Sequence, residues 1–188
     1  NSAVIPNVSF QNQCLGETTI LTNNSIGNDS DVLTWEWTFG DGSSANSKNP
    51  THVYNQPGDY TISLTPKTVS GLCDNAFTQN IKIRSVPKAS FDISNVRAAN
   101  AAVQFTNTST NFTKNSATVF QWLIDEGSGF RYFNENPSHT FSQPGVYNIA
   151  LSVTDTTGGC SSVMSKSITI GAVPNVGFQL SEKACTQN

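Results

Sequence analysis

The segment Asn49-Pro50-Thr51-His52-Val53-Tyr54-Asn55-Gln56-Pro57-Gly58-Asp59-Tyr60 returns as Asn136-Pro137-Ser138-His139-Thr140-Phe141-Ser142-Gln143-Pro144-Gly145-Val146-Tyr147, a constant offset of 87 residues. The same offset carries Gly71 and Cys73 onto Gly158 and Cys160, and Phe91 onto Phe178. Such a period means a tandem array in which each repeat is one folded module. Pro6 and Phe10 correspond to Pro87 and Phe91, so module one is expected over residues 6–85, after a linker at 1–5, and module two over 86–171. Residues 172–188 read as the start of a third module, because Val173-Pro174-Asn175-Val176-Gly177-Phe178 copies Ile5-Pro6-Asn7-Val8-Ser9-Phe10. The joints Ser85-Val86-Pro87 and Gly171-Ala172-Val173-Pro174 are too short to be flexible tethers, which predicts modules that sit end to end.

Within each module the apolar residues alternate with period two. Leu33, Trp35, Trp37 and Phe39 share one strand face, as do Phe120, Trp122 and Ile124 in the second repeat. Tyr60, Ile62 and Leu64 recur as Tyr147, Ile149 and Leu151, followed by Val153; Ile81 with Ile83, and Ile168 with Ile170, close the modules. These rows are the expected cores, and no stretch carries a helical stripe. Gln56-Pro57-Gly58 and Gln143-Pro144-Gly145 read as turns, with proline supplying φ near −65° and glycine a positive φ. Gly40-Asp41-Gly42 reads as a further turn after the Trp strand. Short strands at this spacing predict an all-β fold, a two-sheet sandwich of about seven strands per module.

Composition removes several function classes. Ten Lys and Arg against 13 Asp and Glu, a net charge of −3, leave no cluster of cations for a phosphate backbone, so nucleic acid is excluded as a partner. The 21 Asn, 23 Ser and 21 Thr dress the surface with neutral polar groups. No apolar run approaches the ~20 residues of a membrane span, so no direct membrane insertion is expected. The chain starts Asn1-Ser2-Ala3, without an initiator Met or signal peptide, and is expected to be an excised piece of a longer protein.

Trp35-Glu36-Trp37-Thr38-Phe39-Gly40-Asp41-Gly42, then Asn49-Pro50-Thr51-His52-Val53-Tyr54, then Pro57-Gly58-Asp59-Tyr60-Thr61-Ile62-Ser63-Leu64 resembles the PKD (polycystic kidney disease) domain. In module two, Trp122-Leu123-Ile124-Asp125-Glu126-Gly127 replaces the Gly-Asp-Gly turn and two extra residues precede Asn136, while the Asn-Pro-Ser-His-Thr-Phe and Pro-Gly-Val-Tyr segments keep the likeness. The resemblance implies tandem immunoglobulin-like β-sandwiches arranged end to end, in an extracellular or cell-surface setting. The Asn- and Thr-rich flavour resembles repeats of Bacteroidetes-type secreted surface adhesins, including those associated with gliding. That likeness implies a non-catalytic segment of a long adhesin or filament, acting as a stiff spacer and adhesion surface. The alternative it leaves is an accessory carbohydrate- or protein-binding module of a secreted hydrolase. The implied partners are adjacent PKD-like modules of the same chain, with surface glycans or proteins beyond them; no cofactor is implied.

Four cysteines with no CxxC spacing fit an oxidising compartment. In a seven-strand sandwich the loop between the first two strands, holding Cys14, lies at the pole facing the next module. The last hairpin, holding Cys73, lies at the opposite pole. Strand length separates those poles by roughly 20 Å, whereas a disulfide needs Cα atoms about 4.4 to 6.8 Å apart. The expected bond is therefore Cys14 to Cys160, between modules, with Cys73 awaiting a preceding module, Cys185 a later one, and Ala98 at module two's counterpart of Cys14. An intramodule bond from Cys14 to Cys73 stays open as the alternative.

Little else reads as chemistry. His52 and His139 are the two histidines and are repeat equivalents, which points to structure, and no Gly-x-Ser-x-Gly elbow occurs. Asp29, Asp31, Glu36 and Asp41 offer oxygens for calcium, but not at EF-hand spacing, and Asp41 is explained as a turn former. Trp35, Trp37 and Trp122 alternate in phase with core positions, so they are not a sugar platform. Phe130-Arg131-Tyr132-Phe133 is the one aromatic cluster outside the alternation: a candidate ligand-contact loop, or else a segment whose Tyr132 or Phe133 packs under its own hairpin or against the adjoining module.

Overall fold

A computed structural model describes residues 4–11, 13–27, 32–68, 76–112 and 117–172. Asp29, Asp31, Cys73, Cys185 and the third-module segment from Val173 onward lie outside these residues. Among the described residues every regular element is a β-strand. Module one holds β1 (Val8–Gln11), β2 (Thr18–Asn23), β3 (Val32–Thr38), β4 (Ser44–Ala45), β5 (Thr51–Val53), β6 (Gly58–Thr68) and β7 (Phe77–Ile83). Module two repeats them as β8 (Phe91–Ile93), β9 (Ala102–Asn107), β10 (Thr118–Ile124), β11 (Phe130–Tyr132), β12 (Ser138–Thr140), β13 (Gly145–Asp155) and β14 (Cys160–Ile170). The sheets run β1-β2-β5 and β4-β3-β6-β7 in the first module, and β8-β9-β12 and β11-β10-β13-β14 in the second. Two immunoglobulin-like sandwiches of the same topology therefore follow one another in the chain.

Each sandwich has its own core. Trp37 and Trp122, opposite Leu64 and Leu151 in their sheets, are fully buried. Each indole N–H is satisfied by a backbone carbonyl, Trp37 Nε1 donating to Ser47 O (3.0 Å) and Trp122 Nε1 to Asn134 O (3.1 Å). That pairing is what allows so large a polar-tipped ring at the centre of the fold. Trp35, Ile62, Ile81 and Ile83 share the first core with Trp37; Phe91, Phe105, Ile149 and Ile168 share the second with Trp122.

Two expectations fail locally. Leu33 is not core: it is 70 % exposed. The β3–β6 register slips between Val32, opposite Thr68, and Thr34, opposite Lys67. Leu33 is the extra residue of a bulge, so the alternation that begins at Trp35 does not extend back to it. Gly58 and Gly145 also do not adopt positive φ. They are the first, extended residues of β6 and β13, paired with Ile83 and Ile170. Their short side favours the tyrosine two residues on, whose ring folds back over the turn: a Cβ on Gly145 would lie 3.3 Å from Tyr147 Cζ. Tyr60 and Tyr147 then donate their hydroxyls to the carbonyls of Gln56 and Gln143, each at 2.8 Å. Gly40 and Gly42 do take positive φ, +83° and +93°.

After its last strand each module closes on itself. Arg84 bridges Cys14, in the loop between β1 and β2, in parallel fashion; Gly171 bridges Ala98 in the same way. The loop after the first strand is thus pinned beside the point where the chain leaves the module.

Candidate functional site at the module joint

Cys14 and Cys160 are disulfide-bonded, with Cα atoms 5.6 Å apart and both side chains buried. The bond leaves Cys14 no valence for Cys73, so the intramodule alternative does not hold. On the first module's side, Cys14 is held by its neighbours: Leu15 N–H donates to Arg84 O and Arg84 N–H to Gln13 O, each at 2.8 Å, and Glu17 N–H donates to Cys14 O at 3.0 Å. On the second module's side, Cys160 opens β14 opposite Asp155. The turn between them is drawn tight by Gly159 N–H to Asp155 O at 2.8 Å, with Gly159 at φ +71°. The Thr157 hydroxyl and N–H both donate to Asp155 Oδ1 (2.6 and 2.9 Å). Those two bonds, with a smaller contribution from the Arg84 charge, outweigh partial burial and hold the Asp155 carboxyl below its ordinary range.

Between these ends the chain crosses in three residues, Ser85-Val86-Pro87, with Pro87 buried. Beside the crossing lies an open cleft of 710 Å³ lined by Asp59, Lys82 and Arg84 from one module and by Asn111, Phe112 and Asp155 from the other. Its charges are matched, Lys82 Nζ standing 3.8 Å from Asp59 Oδ1, so the cleft offers no field of one sign.

The histidines clamp the two sheets of each sandwich together. His52 on β5 places Nε2 2.7 Å from Asp41 Oδ2 in the turn after β3, and its ring stacks on Phe39 with centroids 4.3 Å apart. Asp41 also accepts the Ser43 N–H (3.0 Å) and hydroxyl, which makes it the turn former expected. Burial would raise the Asp41 carboxyl, but the bonds from Ser43 and His52 and the His52 charge bring it down to about 2. Ser43 Oγ also meets His52 Nε2, at 3.3 Å. This is not a nucleophile triad, which needs carboxylate and hydroxyl on opposite ring nitrogens.

In module two Glu126 stands in for Asp41. Its Oε2 lies 2.6 Å from His139 Nε2, and its Oε1 accepts the Ser142 N–H (2.8 Å) and hydroxyl (2.7 Å). Burial pushes Glu126 up; the Ser142 and His139 bonds overcome it and leave the carboxyl below its ordinary value. The other imidazole nitrogen, Nδ1, meets the Tyr132 hydroxyl at 2.8 Å, and the Phe130 ring lies 4.7 Å from the imidazole.

The Phe130–Phe133 cluster is therefore divided. Tyr132 is half-buried and fastens β11 to His139, whereas Phe130, Arg131 and Phe133 are exposed, Phe133 at 63 %. Asp29 and Asp31, named for calcium, lie outside the described residues, and Asp41 is engaged as above. Among the described residues no three metal-ligating side chains gather. Glu126 was missed as a clamp residue by sequence reasoning. The signal was present: an acid follows the Trp strand in both repeats, and the two-residue insertion before Asn136 hides its alignment with Asp41.

A family model described as the PKD domain matches residues 4–83 and 84–170. The chain belongs to the PKD domain family. The PKD sandwich is a non-catalytic module fold, and the chain holds two in tandem. Among curated proteins, Collagenase ColA of Bacillus cereus is 48% identical over 40 residues, 21% of this chain and 4% of that protein. Collagenase ColA of Clostridium perfringens is 28% identical over 105 residues, 56% of this chain and 9% of that protein. The chain thus spans a small fraction of the length of these relatives. Among solved structures, the PKD1 domain of Vibrio anguillarum Epp is 26% identical with a TM-score of 0.40, covering 44% of this chain and 95% of that one. The PKD1 domain of the Vibrio cholerae metalloprotease PrtV is 24% identical with a TM-score of 0.39, covering 44% and 98%.

Proposed function

We propose that this chain is a non-catalytic segment of an extracellular, repeat-built surface protein, in which PKD modules stack as a stiff spacer that projects an adhesive region. The observation behind the reading is the Cys14–Cys160 bond, which ties the exit pole of one sandwich to the last hairpin of the next. A buried disulfide belongs to an oxidising compartment, and this one spans a joint rather than a core. Its mechanical effect follows from its position. Tension applied at the two ends enters at Cys14, crosses to Cys160 and leaves along β14, so the chain between the cysteines is bypassed. What resists is then β1 pairing with β2, and β14 pairing with β13 over eleven residues. Exposed Phe133 and Phe130, beside Arg131, are the surface on which glycans or proteins would be contacted, with Tyr132 as the support beneath.

Small-angle scattering in solution tests the spacer. The oxidised pair is expected to keep one extended particle length, and reduction to broaden the distance distribution; an oxidised chain with a bent or averaged profile would contradict the reading. A second reading, an accessory module of a secreted hydrolase, is favoured by the similarity to two collagenases. It requires binding: the isolated pair should retain collagen or polysaccharide in a pull-down and lose it in F133A. The spacer reading expects no retention of collagen, while retention of a glycan through Phe133 is compatible with both readings.

A further inference from the structure

Gly158 is not explained by its own module. Its neighbour Gly159 needs glycine for a left-handed backbone, φ +71°, whereas Gly158 lies outside that region and its backbone would accept any residue. What a side chain there would meet comes from the other module: a Cβ on Gly158 would stand 2.0 Å from Arg84 Cδ and 2.6 Å from Arg84 Nε, so the arginine would have to leave its present path. The glycine leaves the space that the arginine stem crosses. Arg84 is itself aimed from module one, its backbone held on both sides of Cys14 and its Nη1 donating to Gln13 Oε1 at 3.1 Å.

The exit pole of module two supplies an internal comparison. Gly171 bridges Ala98 with the same backbone pattern, Ala99 N–H to Gly171 O at 3.0 Å and Gly171 N–H to Arg97 O at 2.6 Å. The bridge therefore forms with glycine at the position of Arg84 and alanine at the position of Cys14. At module one's exit pole Arg84 and Cys14 occur together, whereas Gly171 and Ala98 take those two positions at module two's. In sequence, Gly158 and Cys160 repeat as Gly71 and Cys73.

We propose that Arg84 and Gly158 are the recognition pair of a noncovalent contact between modules, which brings Cys14 onto Cys160 and selects as partner a sandwich whose last hairpin carries glycine two residues before cysteine. The disulfide latches a geometry that this contact has already chosen. An exit pole of the Ala98–Gly171 kind cannot engage such a hairpin. The inference rests on the joint's geometry and not on the spacer role.

The test equilibrates the folded, reduced 188-residue chain with glutathione buffers. One cysteine thiolate displaces glutathione from its disulfide, the second displaces it from the mixed disulfide, and two reduced glutathiones are released per bond formed. Alkylation and peptide mapping then give the effective concentration of Cys14 against Cys160. R84A is expected to lower it by about tenfold or more, and G158A to lower it similarly. In the R84A background G158A should add nothing, because alanine is harmful there only when the arginine is present. Hydrogen exchange within β6 and β13 should be unchanged in all variants, which separates loss of docking from loss of folding. Should G158A disturb its hairpin, R84A alone decides. Wild-type effective concentrations in R84A, or an equal effect of G158A with and without Arg84, overturn the proposal. The spacer reading fails separately, on the shape of the oxidised chain.

Discussion

Glu126 Oε2 lies 2.6 Å from His139 Nε2, joining the turn after β10 in one sheet to β12 in the other. Asp41 and His52 make the same join in module one at 2.7 Å. Both carboxyls are held below their ordinary values, Asp41 from 3.8 to about 2. A carboxyl whose folded value is depressed stabilises the fold fully above its unfolded value, and that contribution is lost as pH falls through the folded value. Resistance to urea should therefore decline from about pH 5 down to about pH 2, and D41N or E126Q should flatten the decline. Urea midpoints across that range check this; slopes in both variants equal to the parent's would show that the clamps do not govern acid sensitivity.

Two glycines of one turn should respond differently to alanine. Both have positive φ, but a Cβ at Gly40 would stand 2.7 Å from Thr61 O, whereas nothing lies within 4 Å of one at Gly42. G42A should cost only the left-handed backbone, about 1 to 2 kcal/mol. G40A adds a clash with backbone that cannot swing away and should cost about 3 kcal/mol or more. Chemical denaturation of each variant measures both; equal losses would mean that the close approach of β6 is not maintained in solution.

The bulge at Leu33 makes a sharper separation. Leu33→Thr removes a residue that is 70 % exposed and should change stability by no more than about 0.5 kcal/mol. Trp35→Ala, two residues on, removes a buried ring and should cost about 3 to 5 kcal/mol. A large loss in the first variant would place Leu33 in the core and remove the bulge.

That pair of residues also shows where the sequence is legible. Trp35, Trp37 and Phe39 could be read as core because side chains on a strand alternate without exception while pairing is regular. Leu33 obeys the same alternation on paper, and only its missing partner in β6 turns it outward, a fact of the neighbouring strand. The glycine of each Pro-Gly pair was legible as necessary but not for its reason, since the ring that packs on it comes from tyrosine two residues later. Tandem sandwiches, by contrast, follow from repeats and periodicity that are local. The joint lay between these cases: strand length separates the poles, and so puts Cys14 near the following module, but the crossing of Arg84 over Gly158 depends on how two finished modules meet. The cross-sheet clamp of His139 was hidden for a similar reason, because its acid arrives from another strand and from across an insertion.

Pulling the chain from its two ends by single-molecule force spectroscopy, with and without reductant, tests the stapled joint most directly. Cys14 and Cys160 are 146 residues apart in sequence, so breaking the bond should release a further contour length of about 500 Å. In the oxidised chain the rupture of β1 and β14 should be followed by no full-module extension, and reduction should restore two module unfoldings. Two complete unfolding events in the oxidised chain, or the same total extension in both conditions, would contradict a joint that carries tension through the disulfide.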